Sequence, residues 1–256
     1  LSLIIPAFAA QTYVPSWLEQ GAFLEDATSF AAPFAPVSKG GKWGYTDRLG
    51  RMAIAPQYEY ALAFSEDLAA VGKGGKSGYI NTAGQVVIPL QYEDAASFSE
   101  GLAAVCKDGR YGFIDKTGKL VIPAQYEYVY PFNGGLAMVS ANKKWGFIDK
   151  TGKTVVAPQY DGTYNFTAEG LALVHKNGKW GYIDKTGKEI VALQYDRAVS
   201  FADGLAAVCK GGKWGFIDKS GKEIVPLSYD TVGAFYEGLA RVCKGGKWGF
   251  IDKTGK

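Results

Sequence analysis

Between Leu102 and Pro123 the chain alternates short apolar runs with short polar ones: Leu-Ala-Ala-Val-Cys, then Lys-Asp-Gly-Arg, then Tyr-Gly-Phe-Ile-Asp, then Lys-Thr-Gly-Lys, then Leu-Val-Ile-Pro. Runs of this length bounded by glycine and charge are strand-sized, and no 3.6-residue period appears that would argue for helix. The first polar break is a two-residue hairpin: Gly40-Gly41, Gly74-Gly75, Asp108-Gly109, Asn177-Gly178, Gly211-Gly212 and Gly245-Gly246 stand at equivalent places, with Asn142-Lys143 the exception. Such pairs fit a type I′ turn, in which both central residues take φ > 0. The second break, Asp-Lys-Thr-Gly at Asp115, Asp149, Asp184 and Asp252, predicts a longer turn with its glycine left-handed and its Asp side chain folded back on the backbone. Three strands in meander order follow, ending in one from Lys119 to Pro123. A fourth is predicted across Tyr92–Gly101, where small and apolar residues alternate before a Glu-Gly turn.

This pattern repeats along the chain. Trp43-Gly44, Trp145-Gly146, Trp180-Gly181, Trp214-Gly215 and Trp248-Gly249 mark one register, and Ser77-Gly78 and Tyr111-Gly112 fill its two gaps. Successive anchors are 34 residues apart, with a single step of 35. Phe30, Phe64, Phe98, Phe132, Phe166, Phe201 and Phe235 keep the same beat, and the extra residue falls in the turn between Phe166 and Leu171. Seven units of four antiparallel strands predict an all-β protein, a seven-bladed β-propeller, with an open curved β-solenoid as the alternative. Pro56, Pro89, Pro123, Pro158 and Pro226 all fall in the last strand of their units, which places that strand at a sheet edge, because proline cannot donate to a ladder. The repeat domain is read as residues 30–256, preceded by a linker over 11–29.

The units, reading much like Gly-Leu-Ala-Ala-Val-Cys-Lys-Gly-Gly-Lys-Trp-Gly-Phe-Ile-Asp-Lys-Thr-Gly-Lys, resemble the bacterial WG (KWG) repeat family. The resemblance covers residues 30–256. It implies a repeat protein of unassigned biochemical role, often exported or attached to the cell envelope, and supplies no catalytic residue. Ser77 departs from the pattern, which counts against a function needing seven equivalent tryptophans.

Bulk chemistry narrows the function further. With 256 residues, 47% apolar and 21% charged, the chain has globular composition, and a formal charge of +3 without long basic runs lacks the footprint of a nucleic-acid binder. No stretch approaches the roughly 20 apolar residues of a membrane-spanning helix. His175 is the single histidine, and its repeat equivalents, Ser38, Gly72, Cys106, Ser140, Cys209 and Cys243, share no chemistry, so a nucleophile–histidine arrangement is not expected. The three cysteines share that position without Cys-x-x-Cys spacing, so neither zinc nor a disulfide framework is expected. Turn capping accounts for the recurring Asp47, Asp115, Asp149, Asp184, Asp218 and Asp252 without a glycosidase pair. The Lys-Gly-Gly-Lys turns precede no helix and so are not phosphate loops. No metal or cofactor is expected. Trp43, Trp145, Trp180, Trp214 and Trp248 are read as structural anchors which, with the aromatic residue two places on, pack unit against unit.

The strand order sorts the surface into two ends. The hairpins, with Lys42, Lys144, Lys179, Lys213 and Lys247, share one end with Tyr58, Tyr92, Tyr126, Tyr160 and Tyr195 of the Gln-Tyr-acid segments, and these residues form the expected binding surface for a protein or glycan. The favoured function is a non-enzymatic binding or scaffold module. The alternative is a hydrolase or lyase acting on a polysaccharide in the central channel of a propeller. Residues 1–10 admit two readings. Leu1–Ile5 with Ala7-Phe8-Ala9 fits the tail of an export signal, the favoured one, while Leu3–Ala7 aligns with Leu120–Ala124 as a strand completing the seventh unit.

Overall fold

A computed structural model describes residues 34–256 and the short strand Asp26–Ala27. All regular structure among them is β, arranged in seven small antiparallel sheets. The third shows the plan: Asp94–Ala95, Leu102–Lys107, Arg110–Asp115 and Leu120–Tyr126 lie side by side in chain order. Six sheets have four strands, and the seventh has three, Thr231–Tyr236, Leu239–Lys244 and Lys247–Asp252. The chain falls into two compact parts, Leu1–Phe132 and Asn133–Lys256. Both readings of residues 1–10 lie outside the described residues. The linker, however, ends earlier than expected: Asp26 and Ala27 pair with Ser38 and Val37, so the first sheet begins ahead of Phe30.

The predicted turns form for the predicted reasons. Every two-residue hairpin has both residues at positive φ, including Asn142 at 51° and Lys143 at 59°. A lysine in the left-handed region carries strain that glycine avoids. Lys143→Gly is therefore expected to raise stability by about 0.5–1 kcal/mol, read as a shift of the urea midpoint with unchanged slope. In the second turn Asp115 Oδ1 accepts from the backbone N–H groups of Thr117 and Lys119 and from the Thr117 hydroxyl at 2.6 Å. Asp149, Asp184, Asp218 and Asp252 repeat this cap. The extra residue widens the turn after Phe166, which closes through Thr167 and Leu171.

Two expectations need correction. The fourth strand predicted across Tyr92–Gly101 pairs regularly only at Asp94–Ala95. Beyond it the chain dips so that Phe98 packs on Tyr79 of the preceding sheet, centroids 4.9 Å apart, and burying that ring takes the place of continued pairing. The last strand lies at the sheet edge, as the prolines required, but it carries a bulge. Trp145 faces Tyr160 while Phe147 faces Val156, so two surplus residues stand opposite Gly146. A Cβ on Gly146 would sit 2.3 Å from the Val156 carbonyl oxygen, so this glycine is where the bulged backbone closes in.

The core lies between sheets. Leu171, Leu173, Tyr182, Val191 and Tyr195 on one face of the fifth meet Phe201, Ala206, Val208 and Ile217 on the opposite face of the sixth. Strand alternation puts Tyr182 on one face and Ile183 on the other, so within each part a sheet offers an aromatic face to the next and an aliphatic face to the one before. Tyr182 also donates its hydroxyl to the Val199 carbonyl of the next sheet at 2.6 Å, and Tyr45 and Tyr79 do the same to Leu62 and Ala96.

Candidate functional site

The hairpin end brings the candidate lysines and the Gln-Tyr-acid segments together, though not as an open surface of both. Tyr58, Tyr92, Tyr126, Tyr160 and Tyr195 are buried, with 3–7% of their surface exposed. The bulge is the reason: its two surplus residues carry Tyr58 back to a position opposite Trp43, on the face that packs into the core. Burial pushes all five phenols above the ordinary tyrosine range. These tyrosines therefore do not contribute exposed rings.

Within each part, the acid that follows the tyrosine ties successive hairpins together. Asp196 accepts from Lys179 Nζ at 2.5 Å and from the Gly211 N–H of the next hairpin at 2.8 Å. Asp230 joins Lys213 to Gly245, and Asp161 joins Lys144 to Asn177, in the same way. In the first part Glu59 accepts from Gly74 and Gly75, with Lys42 4.0 Å away, and Glu93 accepts from Gly109. Lys144, Lys179 and Lys213 are thus already neutralised. The lysine bonds and backbone N–H groups hold Asp161, Asp196 and Asp230 below the usual carboxylate range, and Thr117, Thr151 and Thr186 do so for their turn Asp residues.

This sets an acid dependence. Each folded-state pKa is lower than its unfolded value, so the stabilisation is complete above the unfolded carboxylate pKa and is lost as pH falls through the folded one. The thermal midpoint is expected to be level from pH 7 to about 5 and to fall below about pH 4. Melting curves across that range check it, and a midpoint that rises on acidification would contradict it.

Where the copies differ, they do so along one row. Tyr60, Gly72 and Ser77 lie side by side across the first three strands of the second sheet. The Tyr60 ring covers Gly72 and its hydroxyl donates to Ser77 Oγ at 2.7 Å, filling the space an anchor tryptophan occupies elsewhere. The third sheet has Asp94, Cys106 and Tyr111, where the Tyr111 hydroxyl donates to Asp94 at 3.0 Å; burial and that carboxylate push Tyr111 up to about 12. The fifth has Gly162, His175 and Trp180, with His175 stacked on Trp180 at 4.6 Å and Tyr164 6.2 Å from it. The anchors Trp43, Trp145, Trp180 and Trp214 are half-buried against the core, while Trp248 is 56% exposed. Cys106, Cys209 and Cys243 are buried free thiols. Among the described residues no group of three or more His, Cys, Asp or Glu side chains is placed to hold a metal, and no helix is long and apolar enough to cross a membrane.

The exposed tyrosines among the described residues are others than those expected: Tyr128, Tyr130, Tyr164 and Tyr236. Tyr128 and Tyr164 stand at or beside the short first strand, whose opening residue varies from Tyr60 and Asp94 to Gly162 and Arg197, and that variation between copies was the signal that could have found them.

The chain is similar to a crystal structure titled as the eukaryotic initiation factor, with 13% identity, 87% of this chain and 71% of that one covered, and a TM-score of 0.54. It is also similar to KlHsv2 with loop 6CD replaced by a Gly-Ser linker, at 9% identity, 82% and 85% coverage and TM-score 0.46, and to dihydro-heme d1 dehydrogenase NirN, at 16%, 86% and 61%, and 0.44. Identities this low bear on fold alone. No curated protein matches the chain. The profile of the WG-containing repeat matches residues 43–76, 78–111, 111–145, 145–180, 180–214 and 214–248. Six tandem matches over most of the chain, on the sheets just described, make it a member of the WG-containing repeat family.

Proposed function

We propose that this protein is a non-enzymatic binding or scaffold module, exported, that presents its repeated hairpin end to a protein or glycan partner. One observation carries the reading: a constant frame of turn caps, anchors and acid bridges holds a row that changes chemistry from sheet to sheet, from Tyr60-Gly72-Ser77 to Gly162-His175-Trp180. A frame repeated with local variation suits recognition, where shape and polar groups select a partner. The recurring carboxylates support a role other than catalysis, since they cap turns or bridge hairpins. Export rests on the signal-like residues 1–9. A glycan array and a protein-partner screen run beside a broad polysaccharide hydrolase and lyase assay test the reading. Retention without turnover is expected, and turnover of any polysaccharide would establish an enzyme instead.

A further inference from the structure

Across the ladder of each hairpin in residues 171–252 two lysines stand opposite one another: Lys176 and Lys179, Lys210 and Lys213, Lys244 and Lys247. Their partners differ. Lys179 and Lys213 are held by Asp196 and Asp230, whereas Lys176 and Lys210 donate to the amide oxygens of Gln159 and Gln194, each at 2.9 Å. Lys176 and Lys244 also lie over the rings of Tyr160 and Tyr229, at 5.9 and 5.8 Å. An amide oxygen or a ring face orients an ammonium without cancelling its charge. Asp196 and Asp230 are occupied by Lys179 and Lys213 and bridge one hairpin to the next, so the first lysines recur once per sheet along a connected edge.

We propose that Lys176, Lys210 and Lys244 form a cationic array that binds an acidic polysaccharide, one carboxylate or sulfate to each lysine. The inference rests on the binding-module reading and specifies its ligand. Packed sheets stand about 10 Å apart, a spacing that an acidic group on alternate sugars can match. Nucleic acid suits it less: duplex DNA carries one charge per roughly 1.7 Å, and single strands need exposed aromatic platforms, whereas Tyr160 under Lys176 is buried and Tyr229 under Lys244 is half-buried.

The probes are polygalacturonate and heparin, with dextran, single-stranded DNA and polyglutamate as comparison, measured by titration calorimetry on the full chain at about 0.05 M salt. Both acidic polysaccharides are expected to bind and dextran not to. The Lys176→Gln/Lys210→Gln/Lys244→Gln variant is expected to lose about tenfold in affinity. Lys153→Gln/Lys188→Gln/Lys222→Gln removes the same charge from exposed turns at the opposite end of the sheets and is expected to bind as the parent. Thermal melts confirm that both variants are folded, which exposed Lys→Gln changes permit. Equal loss in both variants, failure of both polysaccharides to bind, or tighter binding of DNA or polyglutamate would each overturn the proposal. If dextran binds as well as polygalacturonate, the acidic ligand is wrong while the binding-module reading stands; cleavage of the polymer would defeat that reading too.

Discussion

Truncating Phe147 to alanine is expected to cost about 4 kcal/mol, whereas the same change at Phe250, in the same register of the seventh sheet, should stay within about 0.5 kcal/mol. Phe147 is fully buried among Met138, Val156 and Tyr160 of its own sheet and Ala172, Val174 and Ile183 of the next, with its ring 4.8 Å from Phe166. Removing it takes away both the transfer free energy and the contacts of a close-packed interface, and neighbours held by strand pairing collapse poorly into the void. Phe250 is 69% exposed and leaves no cavity. For a chain of this size the first change corresponds to roughly 8–16 °C in thermal midpoint. Equal effects at the two positions would mean that stacking of the aromatic face on the next sheet is not what stabilises the fold.

The second large effect falls on the adjacent residue and the opposite face. Gly146→Ala is expected to cost about 3 kcal/mol, at the upper end for overpacking, because the added methyl meets the Val156 carbonyl oxygen and the Pro158 nitrogen, 2.3 and 2.7 Å from where a Cβ would stand. A side chain that meets a flexible neighbour can be accommodated by a rotamer change; one that meets a paired backbone forces the bulge itself to move. Gly249 provides the control. It occupies the same register beside an edge that has no fourth strand among the described residues, and a Cβ there meets none of their atoms within 4 Å. Gly249→Ala should be neutral or slightly stabilising, since alanine restricts the unfolded chain more than glycine does. Urea titrations of the two variants check the pair, and comparable losses would place the role of this glycine in strand propensity instead of the bulge.

Much of the architecture was legible because it depends on short-range chemistry. Two-residue hairpins announce themselves through residues that tolerate positive φ, the turn Asp through the N–H groups its carboxylate can reach, and the edge strand through proline. Even the exception held: Asn142-Lys143 folds into the same turn, because the pairing of Leu136–Ala141 with Lys144–Asp149 closes the hairpin around it. Other features were not legible. Alternation puts Tyr58 on the face of Ile54, and the two surplus residues of the bulge leave that face unchanged; what the sequence does not show is that they draw Tyr58 back along the strand to stand opposite Trp43 in the core. The fourth strand was overextended because Phe98 reads as part of an alternating run, while its ring is drawn under the neighbouring sheet. Lys176 and Lys179 look equivalent in sequence, and only an acid bridge made across sheets separates them.

The repeat period, the turn types, the meander order and the family are properties of the sequence alone, since each follows from residues within one 34-residue unit and from the conformations their side chains permit. Which tyrosines are buried, which lysines keep their charge and which glycines admit a methyl group were decided only in the tertiary structure. Those outcomes depend on the backbone of a paired strand or on a carboxylate from a neighbouring sheet, and a residue's own neighbours in sequence carry no record of them.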